Sequence, residues 1–239
     1  MNDTSMADKV DILAIGAHAG DAEISAGMAL CHHVRMGKRV AMLHCTLGER
    51  GHPTLSAEEY AENKREEARK AAAVLDAPVY FLPYPDGELP CDDEVKFAIS
   101  DVIRECRPDL ILTHWRGSMH KDHTNTALAV PDAVFYAALR TIERPLPAHR
   151  TKTVLYAENW EDPYGFVPEL YLDLTEDDLK LWEQMVTQYG LFRGEWPTFR
   201  YVEYYKNLAR VRGLEVFTEY ATAFAVPENS RRRKLTTLL

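Results

Sequence analysis

The chain has 239 residues, of which 46% are hydrophobic and 27% charged, with a formal net charge of −9. This is globular composition with room for one large core, and the acidic excess gives no general electrostatic footprint for nucleic acid or an anionic membrane. No apolar run approaches the roughly 20 residues that span a bilayer. The opening MNDTSMADKV lacks a basic region followed by an apolar core, so no signal peptide is expected. Four scattered cysteines (Cys31, Cys45, Cys91, Cys106) without a CxxC pair read as buried free thiols in a reducing, cytoplasmic setting.

In chain order, Val10 to Ala17 is a short apolar run ended by glycine, as in a buried parallel strand. From Asp21 to Met36, apolar Ile24, Met28, Cys31 and Val34 recur at helical spacing, and Gly37 sits where a helix stops. Lys38 to Thr46 reads as a second strand, and Leu47 to Ala57 as a polar loop. Glu58 to Leu75 has strong helix composition. Val79 to Leu82 is a third strand, followed by the turn PYPDGELP. Asp92 to Cys106 is a helix with an acidic first turn, and Asp109 to Thr113 a fourth strand. This alternation predicts an open, mostly parallel α/β sheet with helices on both faces. Ligands in such a sheet sit beyond the carboxyl ends of the strands. The second half is less regular, with strands expected at Val154 to Ala157 and Leu170 to Leu174. Helices are expected at Glu176 to Tyr189 and Arg200 to Arg210. The basic run Arg231 to Lys234 reads as a solvated tail or a subunit contact.

The stretch IGAHAGDAE (Ile15 to Glu23) lies where α/β enzymes carry a phosphate loop or a metal site. A dinucleotide fingerprint needs GxGxxG, but here a histidine stands in place of the second glycine, and no Walker lysine is present. A metal suits the residues better. His18 and Asp21 are three apart at a strand-to-helix turn, and a second loop supplies His114, His120, Asp122 and His123. Two imidazoles and a carboxylate form a common catalytic zinc set with an open position for water. His32, His33, His44, His52 and His149 read as surface residues or local hydrogen-bond partners.

These residues carry a resemblance to the LmbE/PIG-L family of zinc-dependent de-N-acetylases. The family's AHPDDxE is similar to AHAGDAE (Ala17 to Glu23), and its TxGExG to TLGERG (Thr46 to Gly51). Its RxxEA resembles KREEA (Lys64 to Ala68), its PDG turn Pro85-Asp86-Gly87, its HPDH His120-Lys121-Asp122-His123, and its YAEAF Tyr220 to Phe224. The resemblance implies one Rossmann-like, LmbE-like domain over 1–239, with 1–9 as a flexible N-terminus and 226–239 as a tail. It implies Zn2+ held by His18, Asp21 and His123, with His120 stabilising the oxyanion and protonating the leaving amine. Asp122 would orient His120 and raise its pKa. The implied reaction is hydrolysis of an N-acyl amide, N-acetyl in the first place, on an amino sugar or related small molecule. A homo-oligomer fits the family as well.

One departure matters: the aspartate that serves the family as general base is Gly20 here. Three explanations compete. The base has moved, with Glu49 preferred over Glu23; or His120 shuttles the proton in a slower enzyme; or the protein binds zinc and a ligand without catalysis. Glu49 reads equally as an exposed carboxylate or a contact for a substrate hydroxyl. Arg50, Lys64 and Arg116 would meet a sugar hydroxyl or a phosphate, or pair with surface carboxylates. Trp115 would stack on a sugar ring or pack in the core.

Overall fold

The computed structural model describes residues 8–228. The basic run at 231–234, and most of the two terminal segments expected to lie outside the packed domain, fall beyond the described residues.

The elements run β1 (Ile12–Gly16), α1 (Asp21–Ser25), α2 (Gly27–Arg35), β2 (Val40–His44), α3 (Ala57–Val74), β3 (Val79–Phe81), α4 (Asp93–Cys106) and β4 (Leu110–His114). There follow α5 (Lys121–Ala138), β5 (Thr153–Ala157), β6 (Leu170–Leu174), α6 (Glu176–Val186), α7 (Gly190–Arg193), α8 (Tyr201–Glu215) and β7 (Tyr220–Ala225). The strands form one sheet in the order β3-β2-β1-β4-β5-β7-β6. The first five pair in parallel, with Ile12 opposite both Val40 and Leu110, whereas β7 runs antiparallel to β5 and β6.

Helices cover both faces, because alternate β1 residues point opposite ways. Ile12 and Ala14 join the core beneath α2, α3, α6 and α8, while Leu13 and Ile15 join the one beneath α4 and α5. Local chemistry sets the helix starts. Ser56 and Glu59 form a reciprocal capping box on α3, Thr175 and Asp178 do the same on α6, and the Asp92 carboxylate caps α4.

The structure departs from expectation in three places. The helix expected over Asp21 to Met36 is broken at Ala26, beside Gly27, which lies so close to α6 that a Cβ there would meet the Met185 methyl at 2.5 Å. Helix α5 was not foreseen, since Pro131 lies inside it and removes a helical hydrogen bond. It is held by burial of Ala129, Val130, Ala133 and Ala137 against Ile99 and Ile103. Strand β7 was also missed as a strand, its pairing being set by β5 and β6 far away in sequence.

Candidate metal centre and cleft

Strand order reverses between β1 and β4, so the loops leaving their carboxyl ends part and open a crevice. His18 and Asp21 follow β1, His114 ends β4, and His120 to His123 open α5. Asp86 comes in after β3, and Glu161 and Asp162 after β5. The first loop is fixed by its own aspartate. The Asp21 carboxylate accepts the His18 backbone N–H at 2.7 Å, and the His18 carbonyl accepts the Asp21 N–H at 3.1 Å. Gly48, at φ 69°, lets the neighbouring loop close on this turn, since a Cβ there would come within 3.0 Å of His18 Cβ.

Three donor atoms converge. His18 Nδ1 lies 3.0 Å from Asp21 Oδ2, and His123 Nε2 lies 3.3 Å from each of them. Donors about 2.0–2.2 Å from a shared ion stand at such separations. Both imidazoles are backed by acid. His123 Nδ1 donates to Asp162 Oδ1 at 2.9 Å. The His18 Nε2 edge lies between Asp86 Oδ1 at 3.2 Å and Asp122 Oδ2 at 3.4 Å, aligned on neither. An acid behind each ring leaves the opposite nitrogen as a lone-pair donor, the usual support of a metal-ligating histidine. His114 is nearby, but its Nε2 accepts the Ala17 N–H at 3.0 Å and its Nδ1 donates to Asp162 Oδ2 at 2.9 Å. Its lone pair is engaged, which leaves it as a brace rather than a fourth donor.

The electrostatics favour positive charge at the convergence. Burial works against the charged form of His123, yet Asp21 and Asp162 raise its pKa to about 9. His18 is likewise raised against its burial, chiefly by Asp21. Burial opposes ionisation of Asp21, but His123 and His18 hold it well below the usual carboxylate range. The carboxylates that stabilise protons on the two imidazoles would also stabilise a divalent cation between them once the inward nitrogens are deprotonated. The donor set therefore fits a divalent metal.

The other expected residues divide sharply. His120 lines the cleft, its ring centroid 4.5 Å from that of His18. Its Nδ1 accepts the Asp122 backbone N–H at 3.2 Å, so a neutral ring carries its proton on Nε2. The Asp122 side chain does not orient it. That carboxylate accepts the Gly87 N–H at 2.6 Å and faces His18. Nor is the His120 pKa raised: burial and the two neighbouring imidazoles lower it, outweighing Asp122. Glu49 is absent from the cleft wall, because its Oε1 accepts the Asp86 N–H at 2.9 Å. Glu23 is fully buried and accepts the Tyr189 hydroxyl at 2.6 Å, with His44, also fully buried, 3.3 Å away. Arg50 is an exposed rim residue paired with Glu88 at 2.7 Å. Trp115 and Arg116 line a separate cavity over β4 and β5, with Trp115 Nε1 donating to the Tyr164 carbonyl and Arg116 paired with Glu228. Lys64 alone of the four expected substrate contacts reaches the cleft, buried in its wall.

Sequence reasoning missed Asp162 and Glu161, which sit in the irregular Asn159-Trp160-Glu161-Asp162 segment after β5. The position of that segment, just past a strand that pairs with β4, was the available signal. The second half of the chain builds much of the cleft, about 240 Å³ in volume, with Trp160, Glu161, Phe192, Trp196 and Tyr201 forming one wall.

Comparison with known proteins agrees with this architecture. The chain is 24% identical over 217 residues to a 4-oxalmesaconate hydratase of Pseudomonas putida, covering 85% of this chain and 80% of that one. It is 26% identical over 227 residues to a diacetylchitobiose deacetylase of Thermococcus kodakarensis, covering 82% of each. The crystal structure of the N,N'-diacetylchitobiose deacetylase from Pyrococcus horikoshii superimposes with a TM-score of 0.75 at 23% identity, over 92% of this chain and 84% of that one. The family model for PIG-L, GlcNAc-PI de-N-acetylase, matches residues 13–134, which carry His18, Asp21, His120 and His123, and the chain belongs to that family.

Proposed function

We propose that this protein is a zinc-dependent hydrolase that cleaves an N-acyl amide, in the first place an N-acetyl group, from an amino sugar or related small molecule. The observation that carries the reading is the convergence of His18 Nδ1, Asp21 Oδ2 and His123 Nε2 within 3.3 Å of one another at the floor of an aromatic-walled cleft. When bound, the ion supplies Lewis acidity, polarising the amide carbonyl and lowering the pKa of a water.

The chain's own residues supply the rest. Water adds to the carbonyl carbon, one of its protons leaves to a base, and the C–N bond breaks as the nitrogen gains a proton. His120, with its proton on Nε2 and its face in the cleft, is placed to donate to the oxyanion and then to the leaving nitrogen. For the base that Gly20 cannot provide, Glu161 is better placed than Glu49. It lines the cleft, its Oε2 lies 3.7 Å from His123 Nε2, and its carboxyl pKa is raised by burial and by Asp21. The test is metal content together with release of acetate from a panel of acetylated amino sugars. Glu161→Gln should lower turnover by about 10² or more with zinc retained, and Glu49→Gln by much less. The reverse order would return the role to Glu49.

A second reading is favoured by one feature, the absence of a carboxylate at position 20 in a chain with a hydratase among its relatives. In it the same centre adds water across a carbon–carbon double bond of an unsaturated acid. Water uptake by such acids, without acetate release from any amide in the panel, would select it. Zinc binding without either reaction would indicate a binding protein.

A further inference from the structure

Lys64 is the one expected substrate contact that the structure brings to the cleft wall. It projects from α3, is only 3% exposed, and belongs to the lining that contains His18, Asp21 and His120. Its ammonium has three donors, and one is used, on the Ala19 carbonyl at 2.6 Å. The Tyr189 and Tyr60 rings lie 5.0 and 5.7 Å from Nζ. No carboxylate is in ion-pair contact with it among the described residues. Glu67, one helical turn along, is instead turned to the Gly190 N–H at 2.8 Å. A buried cation without a carboxylate partner is costly, and an anion entering from the cleft offsets that cost.

Gly20 brings no side chain to this ammonium. A Cβ at that position would lie 3.6 Å from Lys64 Nζ. A side chain at position 20 would start beside the ammonium, and glycine places no charge there. The Phe192 ring, 3.1 Å from the same point, takes up part of the space as an apolar wall and leaves the ammonium bordering the cleft.

We propose that Lys64 anchors a single carboxylate of the substrate beside the metal centre, so that the small molecule taken by this chain carries an acid group next to the bond that is cleaved. The inference deepens the proposed function, resting on it only in taking the same cleft as the reaction site. A monocarboxylate matches one ammonium. A phosphate dianion would bring a second charge against Asp21, Asp86 and Glu161 in the same lining, with no arginine there to meet it.

The test is calorimetric titration of zinc-loaded and chelator-stripped protein with butyrate, its neutral amide butyramide and inorganic phosphate, for wild type and Lys64→Met. Wild type should bind butyrate at least about tenfold more tightly than Lys64→Met in both metal states, the size expected for a hydrogen bond to a charged group. The amide should show no such difference, and Lys64→Arg should retain most of the preference. Equal butyrate affinity in wild type and Lys64→Met overturns the proposal. So does an equal loss of amide binding, which would mark a contact for neutral oxygen, or phosphate binding as tight as butyrate. If Lys64→Met does not fold, the Lys64 ammonium nitrogen resonance of the wild type decides: it should move on adding butyrate and stay put on adding the amide, and no movement with butyrate overturns the subsite. A protein that takes up no zinc, yet loses butyrate binding on substitution of Lys64, would sink the hydrolase reading and leave the subsite standing.

Discussion

At Gly20 the backbone sits at φ 109° and ψ −24°, a conformation that L side chains rarely adopt, and the Phe192 ring leaves a Cβ only 3.1 Å of room. An aspartate at position 20 is therefore not a simple substitution. Gly20→Asp should lower the unfolding free energy by about 1–3 kcal/mol in urea titration, the usual cost of strained backbone, and should not raise deacetylation. An unchanged midpoint with faster turnover would mean that the loop and Phe192 give way readily. Asp162 is the other residue on which much depends. Burial opposes its charge, but His114 and His123 hold its carboxyl well below the ordinary range. Since Asp162 fixes the His123 ring through Nδ1, Asp162→Asn should weaken zinc binding about 10- to 100-fold in competition with a chromogenic chelator. Equal affinities would remove Asp162 from the centre's support.

At the scale of elements, α2 and α6 are tied by Asp178. Its carboxylate closes the α6 capping box, accepts from Arg35 Nη1 at 2.6 Å and lies 3.1 Å from His32 Nδ1. Burial pushes its pKa up, but the Thr175 N–H, Arg35 and His32 bring it down to about 2. The unfolded chain, with an aspartate pKa of about 3.9, then takes the proton more readily than the folded one. The stabilisation is complete above about pH 4 and is lost as pH falls through about 2. Asp178→Asn should flatten this acid limb, read as a smaller drop in thermal midpoint between about pH 5 and pH 2; an unaltered slope would assign the acid sensitivity elsewhere. Helix α3 carries Lys64 into the cleft wall. Loss of its cap in Ser56→Ala should cost about 1 kcal/mol of stability without changing zinc uptake.

For the whole molecule, the candidate centre joins segments following β1, β3, β4 and β5, so a metal bound there would tie together one side of the sheet. A ligand that binds only the folded chain stabilises it by about 2.7 kcal/mol at a hundredfold excess over its dissociation constant. Chelator-stripped protein should gain about that much when zinc is returned at such an excess, and Asp21→Ala should gain almost nothing. An equal gain in that variant would place the stabilising ion elsewhere. Among the described residues no helix is long and apolar enough to cross a membrane, and the four cysteines are unpaired.

Strand and helix alternation, the parallel core of the sheet and the cluster of His18, Asp21, His120 and His123 were legible in the sequence. Each depends on local pattern: apolar runs, caps, and donors a few residues apart at strand ends. Glu161 and Asp162, Phe192 over Gly20, the turning away of Glu49, and the placement of Trp115 outside the cleft were decided only by the tertiary structure. They are settled by packing between segments that are not neighbours in the chain: Asp86 for Glu49, Tyr164 for Trp115, and the docking of α7 against the metal loop for Phe192 over Gly20. A carboxylate or a lysine has the same local signature whether it meets solvent or a reaction cleft; which it meets depends on such distant partners, Ala19 and Tyr189 in the case of Lys64.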